Sequence, residues 1–297
     1  MNIPKVFYLA AFALFGLVFM TLPSYSQVTE TYCSTDVPLP VPPTGTGGFG
    51  TAPTLSDLVV PASAIEGGEV TKVVVKMYIT HTFDSDLEIS LDSPIATNVE
   101  ISTDNGGAGD DYGSTCGTDD MDPDSVFDDD AGTAVTDGAA PFVGSFSPEG
   151  LLRDFNGEDQ EGTWTLIVGD DATGDSGTLN CWCLDITTSE PLETEGIFPA
   201  VSNNYNSMTA SGASPGGNVA FLWSFMYGST TIAGPVCPGL EVGLSPVNIL
   251  AIETADVDGM AEAIFFVPHW AIVLYTQIVD IDTCRAGEVI ENVHSNN

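Results

Sequence analysis

The sequence predicts an all-β chain built as two sandwiches, a larger one followed by a smaller. Three observations carry this expectation. Short apolar runs alternate with polar residues at a period of two, as half-buried strands require. Gly, Asp, Asn and Pro divide those runs, with 31 glycines and 19 prolines in 297 residues. No stretch beyond the leader has the 3.6-residue period of a long amphipathic helix. The hydrophobic fraction of 43% leaves enough apolar material for packed cores, although charged residues make up only 16%.

Residues 1–26 read as a signal peptide. Lys5 precedes an apolar run from Val6 to Leu22, and Ser24 and Ser26 occupy the −3 and −1 positions of a cleavage site. The alternative is an uncleaved anchor, because the run lies at the lower edge of a membrane span. No later stretch is long and apolar enough to cross a bilayer, so the expected location is secreted or at the cell surface. A Pro/Gly-rich lead covers 27–49. The first sandwich is placed at 50–188, where "TKVVVKMYIT" sets Val73, Val75, Met77 and Ile79 on one face. "DLEISL" does the same with Leu87, Ile89 and Leu91, "GTWTLIV" with Trp164, Leu166 and Val168, and "NCWCLDI" with Trp182, Leu184 and Ile186. The alternation stops in "TTSEPLETEG". A linker is therefore set at 189–195 and a C-terminal β-domain at 196–297, with runs such as "GNVAFLWSFMYG" and "AEAIFFVP".

Charge narrows the partners. With 42 acidic against 5 basic residues and a net charge of −37, nucleic acid and anionic lipid headgroups are excluded, and a divalent cation is favoured. The bias peaks at residues 113–133, "GSTCGTDDMDPDSVFDDDAGT", where seven aspartates meet no basic residue. Two carboxylates about 4 Å apart repel by roughly 1 kcal/mol in water and by more near a protein surface. Either this stretch is a hydrated loop or a cation sits in it. Asp110, Asp111, Asp119, Asp120, Asp122, Asp124, Asp128, Asp129 and Asp130 exceed what one calcium ion with six to eight oxygen ligands needs.

Six cysteines without a C-x-x-C pair point to disulfides in an oxidising compartment. Cys237 and Cys284 form one expected bridge, being the only two in the last hundred residues. Cys181 and Cys183 share a strand face, so each is expected to reach Cys33 or Cys116, in an order left open.

Enzymatic readings find little support. "GASPG" at 212–216 matches G-x-S-x-G, but it leads into a strand where a nucleophile elbow needs a helix. The histidines are His81, His269 and His294, and no Ser/His/Asp set of subtilisin type accompanies them. His81 is expected to be a hydrogen-bonded structural residue. "DATGDSG" at 171–177 reads as a hairpin in preference to a second cation site, and "ADVDG" at 255–259 as a turn. Trp223, Phe225, Tyr227 and Trp270 are expected mostly in the core, although aromatics of this kind can also stack on a sugar.

Several motifs occur in one order: Thr80-His81-Thr82 before Asp86-Leu87, then Phe127-Asp128-Asp129, Pro141-Phe142 with Gly144, Gly162-Thr163-Trp164-Thr165-Leu166, and Gly177-Thr178-Leu179. Over about residues 50–188 they resemble the P domain, or homo B domain, of proprotein convertases and secreted bacterial subtilisin-type proteases. The resemblance implies a jelly-roll sandwich, a link to proteolysis and a calcium site. It places the ligands at Asp86, Asp128 and Asp129, with Asp111 added. The C-terminal unit resembles a small β-domain of secreted bacterial proteins. The expected function is a non-catalytic extracellular structural or interaction module stabilised by Ca2+. Its alternatives are an accessory or docking partner of a secreted serine endopeptidase, and carbohydrate binding or hydrolysis in the acidic loops.

Overall fold

The structure is a computed structural model and describes residues 27–117, 121–198, 200–268 and 273–294. The expected signal peptide, Asp119, Asp120, His269 and Trp270 lie outside them. In the first unit the strands are β1 (Gln27–Cys33), β2 (Leu39–Val41), β3 (Thr54–Val60), β4 (Glu69–Thr80), β5 (Leu87–Asp92), β6 (Asn98–Thr103), β7 (Ser125–Phe127), β8 (Gly144–Phe146), β9 (Gly162–Asp170) and β10 (Gly177–Ser189). One sheet runs β1-β10-β4-β7-β8, with β2 also on β10, and the other β3-β9-β5-β6. Neighbours are antiparallel except β7 and β8. The Pro/Gly-rich lead is therefore more than a tether, since it supplies β1 and β2 to the edge of β10.

The period-two pattern becomes the core. Val73, Val75, Met77 and Ile79 of β4 are at most 2% exposed, and they meet Leu87, Ile89 and Leu91 of β5 and Trp164, Leu166 and Val168 of β9 in one cluster. Trp182 of β10 is fully buried and donates its indole N–H to Ser56 Oγ of β3 at 2.7 Å. The bond ties one sheet to the other and leaves the ring's polar atom satisfied. Truncating either tryptophan would cost roughly 3–5 kcal/mol.

The three disulfides are Cys33–Cys183, Cys116–Cys181 and Cys237–Cys284. The first joins directly opposed residues of β1 and β10. The second fastens the acidic stretch to β10.

One turn differs from expectation. "DATGDSG" is not a hairpin, because β9 and β10 belong to different sheets. Both edges of β9 are already taken, by β3 and β5. The segment instead crosses from one sheet to the other. Alternation identifies a strand but does not say which strand lies beside it.

The second unit contains β11 (Glu193–Phe198), β12 (Asn204–Ser211), β13 (Asn218–Ser224), β14 (Tyr227–Thr231), β15 (Glu241–Leu244), β16 (Asn248–Thr254), β17 (Ala261–Val267), β18 (Val273–Asp280), β19 (Arg285–Ala286) and β20 (Ile290–Val293). Its sheets run β11-β12-β17 and β16-β13-β18-β19, with β20 on β18, and β14 pairs with β15. Between the larger sheets, Met208, Phe221 and Ile278 pack among Ala210, Ala213, Ala255, Ala261 and Ala263. These small residues leave less apolar area to bury than the tryptophan-centred first core. Phe225 and Tyr227, expected inside, are 46% and 71% exposed, because the chain turns between β13 and β14 and the alternation does not carry through. "GASPG" is a turn whose Ser214 hydroxyl donates to Asp280 Oδ2 at 2.9 Å. "ADVDG" is likewise a turn, with Asp256 Oδ1 accepting from the amides of Asp258 and Met260.

A buried guanidinium joins the two units. Arg285 is 1% exposed; its Nη1 lies 3.1 Å from Glu69 Oε2 of β4, and its Nη2 lies 3.6 Å from the buried Asp280. It also donates to the carbonyls of Glu190 and Gly212. Beside it, Asn156 Nδ2 donates to the Thr283 carbonyl at 2.7 Å.

Candidate metal centre

The four aspartates expected as one ligand set do not come together. Lys72 near the start of β4 marks one acidic cluster, and His81 just past its end marks another. Nine residues of extended strand put them roughly 30 Å apart. Asp128 and Asp129 belong to the first cluster, Asp86 and Asp111 to the second.

At the first cluster, protein donors already satisfy the carboxylates. Lys72 Nζ lies 3.0 Å from Asp128 and 2.7 Å from Asp130. Burial opposes the charge of Lys72, but hydrogen bonds to Asp130 and Asp128 outweigh it, and its pKa is raised. Asp129 accepts from the amides of Leu152 and Arg153, both at 2.9 Å, at the start of the 3₁₀ turn Leu152–Phe155. It therefore acts as a cap for a chain segment. Its neighbours in the acidic stretch do similar work. Asp124 accepts from the Ser114 amide at 2.7 Å and its hydroxyl at 2.6 Å, bonds that hold its pKa down against burial. Asp122 pairs with Lys76 at 2.8 Å. Among the described residues, local amides and two lysines thus offset much of the repulsion in this stretch.

The second cluster is different. Asp84, in the 3₁₀ turn Asp84–Asp86 after β4, is fully buried, and neither carboxylate oxygen has a hydrogen-bond partner. Burial, with the charges of Asp111 and Asp110 added, pushes its pKa up to about 7. The Asp111 amide, which also donates to the His81 carbonyl at 3.2 Å, works the other way but does not offset the burial. Asp111 Oδ1 in turn accepts from the His81 amide at 2.9 Å, with Asp111 at φ +75°. The loop "DNGGAGDD", residues 104–111, folds over Asp84. The Asp84 amide donates to the Gly109 carbonyl and that of Ser85 to Gly107.

Gly106 makes this approach feasible. It sits at φ +86°, and a Cβ there would lie 2.8 Å from both Asp84 Cβ and Phe142 Cε2. Gly106→Ala is expected to destabilise the protein by roughly 1–3 kcal/mol, as a midpoint shift in thermal unfolding.

Asp84 escaped sequence reasoning because nothing local distinguishes a buried aspartate from an exposed one two residues away. The available signal was the glycine density of the loop, which marks close backbone approach. Asp86 lies to the other side of His81. Its pKa is raised by burial and then by Asp175, Asp170 and Asp171.

A buried carboxylate without a donor is costly whether ionised or protonated. Calcium, the ion the resemblance implies, prefers oxygen ligands from flexible loops. Asp84 feels the charges of Asp111 and Asp110 and lies under the carbonyls of a glycine-rich loop, oxygens of that kind. Among the described residues these three carboxylates do not converge within 4.8 Å of one another, so the loop would have to close on an ion. A filled site would fasten the 104–111 loop to the end of β4.

The model of the proprotein convertase P-domain family matches residues 70–186. No curated protein sequence matches the chain. Among solved structures, a serine protease of Aeromonas sobria aligns over 56% of this chain and 27% of its own length, at 19% identity and a TM-score of 0.33. The same organism's serine protease in complex with its chaperone aligns over the same shares, at 20% identity and a TM-score of 0.32. The chain thus spans about a quarter of the length of the solved proteases it matches.

Proposed function

We propose that this chain, which carries a P-domain of the proprotein convertase type over residues 70–186, is a secreted, non-catalytic β-sandwich module stabilised by calcium and used as a structural or interaction unit outside the cell. The observation that carries the reading is Asp84, a fully buried carboxylate with no hydrogen-bond partner beneath an acidic, glycine-rich loop. Export is supported by the three disulfides, which persist in oxidising compartments. A binding rather than catalytic role is supported by how the nucleophile candidates are used. Ser214 is committed to Asp280, and the His81 ring lies between the Phe83 carbonyl and Asp170.

Calcium binding would couple to folding, because an ion that binds only the folded loop stabilises it by mass action. Thermal unfolding of the full chain in calcium and in chelator, at matched ionic strength, tests this. The expected result is a saturable rise in Tm with calcium that magnesium does not reproduce. An equal response to both ions, or to ionic strength alone, would reduce the effect to screening of an acidic surface.

The P-domain favours one further reading, an accessory or docking role toward a separately encoded secreted serine endopeptidase. Co-purification of such an enzyme with the calcium-loaded chain, and its release by chelator, would support it.

A further inference from the structure

We infer that His81, Asp170 and Asp175 form a second cation site, taking a borderline divalent transition ion such as Zn2+ and stapling the two sheets of the first sandwich together. One donor atom from each lies within 4.8 Å of the others. The side chains of His81 and Asp170 have no solvent exposure, and Asp175 stands half-buried at the mouth.

The His81 Nε2 to Asp170 Oδ2 distance is 3.4 Å. That is long for a charge-assisted hydrogen bond, which is typically about 2.7–2.9 Å. It matches the edge of a tetrahedron around an ion with bonds of about 2.0–2.1 Å, whose ligand atoms lie about 3.3–3.4 Å apart. The other ring nitrogen is oriented as a metal-binding histidine requires. Nδ1 is 3.0 Å from the Phe83 carbonyl, closer than the Phe83 amide at 3.3 Å. A carbonyl only accepts, so in the tautomer that uses this shorter contact Nδ1 carries the proton and Nε2 faces the carboxylate with its lone pair. An ion would select this form over the one in which Nδ1 accepts from the Phe83 amide. Independently, Asp170 Oδ1 is buried without a well-formed hydrogen bond, although the Ala172 backbone lies close enough to act on the carboxylate. Asp175 is steadied by the Thr82 hydroxyl at 2.9 Å.

The nitrogen sets this site apart from the oxygen set around Asp84. Calcium and magnesium favour oxygen donors, whereas imidazole with carboxylates suits zinc. Three protein ligands leave a fourth position for water or for the nearby Asp86. The ligands come from different parts of the sandwich. His81 follows β4 of one sheet, Asp170 ends β9 of the other, and Asp175 lies on the segment crossing between them.

The test uses the full chain, stripped with chelator and returned to saturating calcium so that the Asp84 loop is not the variable. Titration with Zn2+ is expected to bind one equivalent and raise Tm, and Co2+ to give the visible absorption of a tetrahedral site. His81→Gln should abolish both responses while the calcium response persists. Asp175→Asn, an isosteric change at a half-buried loop position, should weaken Zn2+ binding at least tenfold and serves if the His81 variant fails to fold. No saturable Zn2+ binding in calcium, or binding unchanged in these variants, would overturn the proposal and leave His81 and Asp170 as a plain ion pair.

Discussion

Asp84→Asn is expected to make the metal-free protein more stable at pH 8, by about 2–4 kcal/mol after allowance for screening, and to remove its response to calcium. The direction follows from linkage. Burial pushes the folded carboxyl up to about 7 against 3.8 for an aspartate in the unfolded chain, so between those values the folded state binds more protons than the unfolded one. Stability from this group is therefore greatest near the acid end of that window and is lost as pH rises through 7. The metal-free wild type should unfold at a lower temperature at pH 8 than at pH 5. Calcium should reverse that order, because it supplies the positive charge that protonation supplied. Asparagine is neutral at both values, so the variant should lose this component of the pH dependence and keep only the general self-repulsion of an acidic surface. Thermal unfolding of both proteins at the two pH values, with and without calcium, reads all of this. If the variant is no more stable than wild type in chelator at pH 8, Asp84 is not the residue on which calcium acts.

Arg285→Ala should destabilise the protein by about 3–5 kcal/mol, with the C-terminal unit loosening first. The guanidinium is buried between Glu69 and Asp280, and Asp280 is itself fully buried. Removing the cation leaves that carboxylate without its charge partner, which costs more than the net worth of the pair. Hydrogen exchange should report faster opening of β13 and β18 while β4 and β10 keep their protection. Adding Asp280→Asn to Arg285→Ala should recover part of the loss, since the stranded charge is then gone. A single variant with unchanged exchange in β13 and β18 would show that the contact across the units contributes little.

The sandwich was legible because its cause is local. Val73, Val75, Met77 and Ile79 alternate with polar neighbours, and a strand with that pattern has one way to face a core. The candidate metal centre was less legible because its cause is not. Asp128 and Asp129 match acidic positions of a motif, yet Lys72 and the amides at Leu152 and Arg153 reach them only after β4, β7 and the 3₁₀ turn are in place. Asp111 falls in the cluster around His81, but its relation to Asp84 depends on a loop that folds back from residue 104. The crossing segment after β9 was misread for the same reason, since strand partners are set by tertiary packing.

The scarcity and placement of cationic side chains have a practical corollary for digestion. Past residue 26 the chain offers Lys72, Lys76, Arg153 and Arg285 as the only sites for an enzyme that cuts after lysine or arginine. Lys72 and Lys76 lie in β4, paired on one side with Thr187 and Cys183 of β10, and Lys76 on the other with Val126 of β7. Arg285 is 1% exposed, which leaves Arg153 on its 3₁₀ turn as the accessible bond. While folded, the molecule should therefore pass through a trypsin-rich milieu with at most one nick, after Arg153 and ahead of β9 and β10 of the first unit.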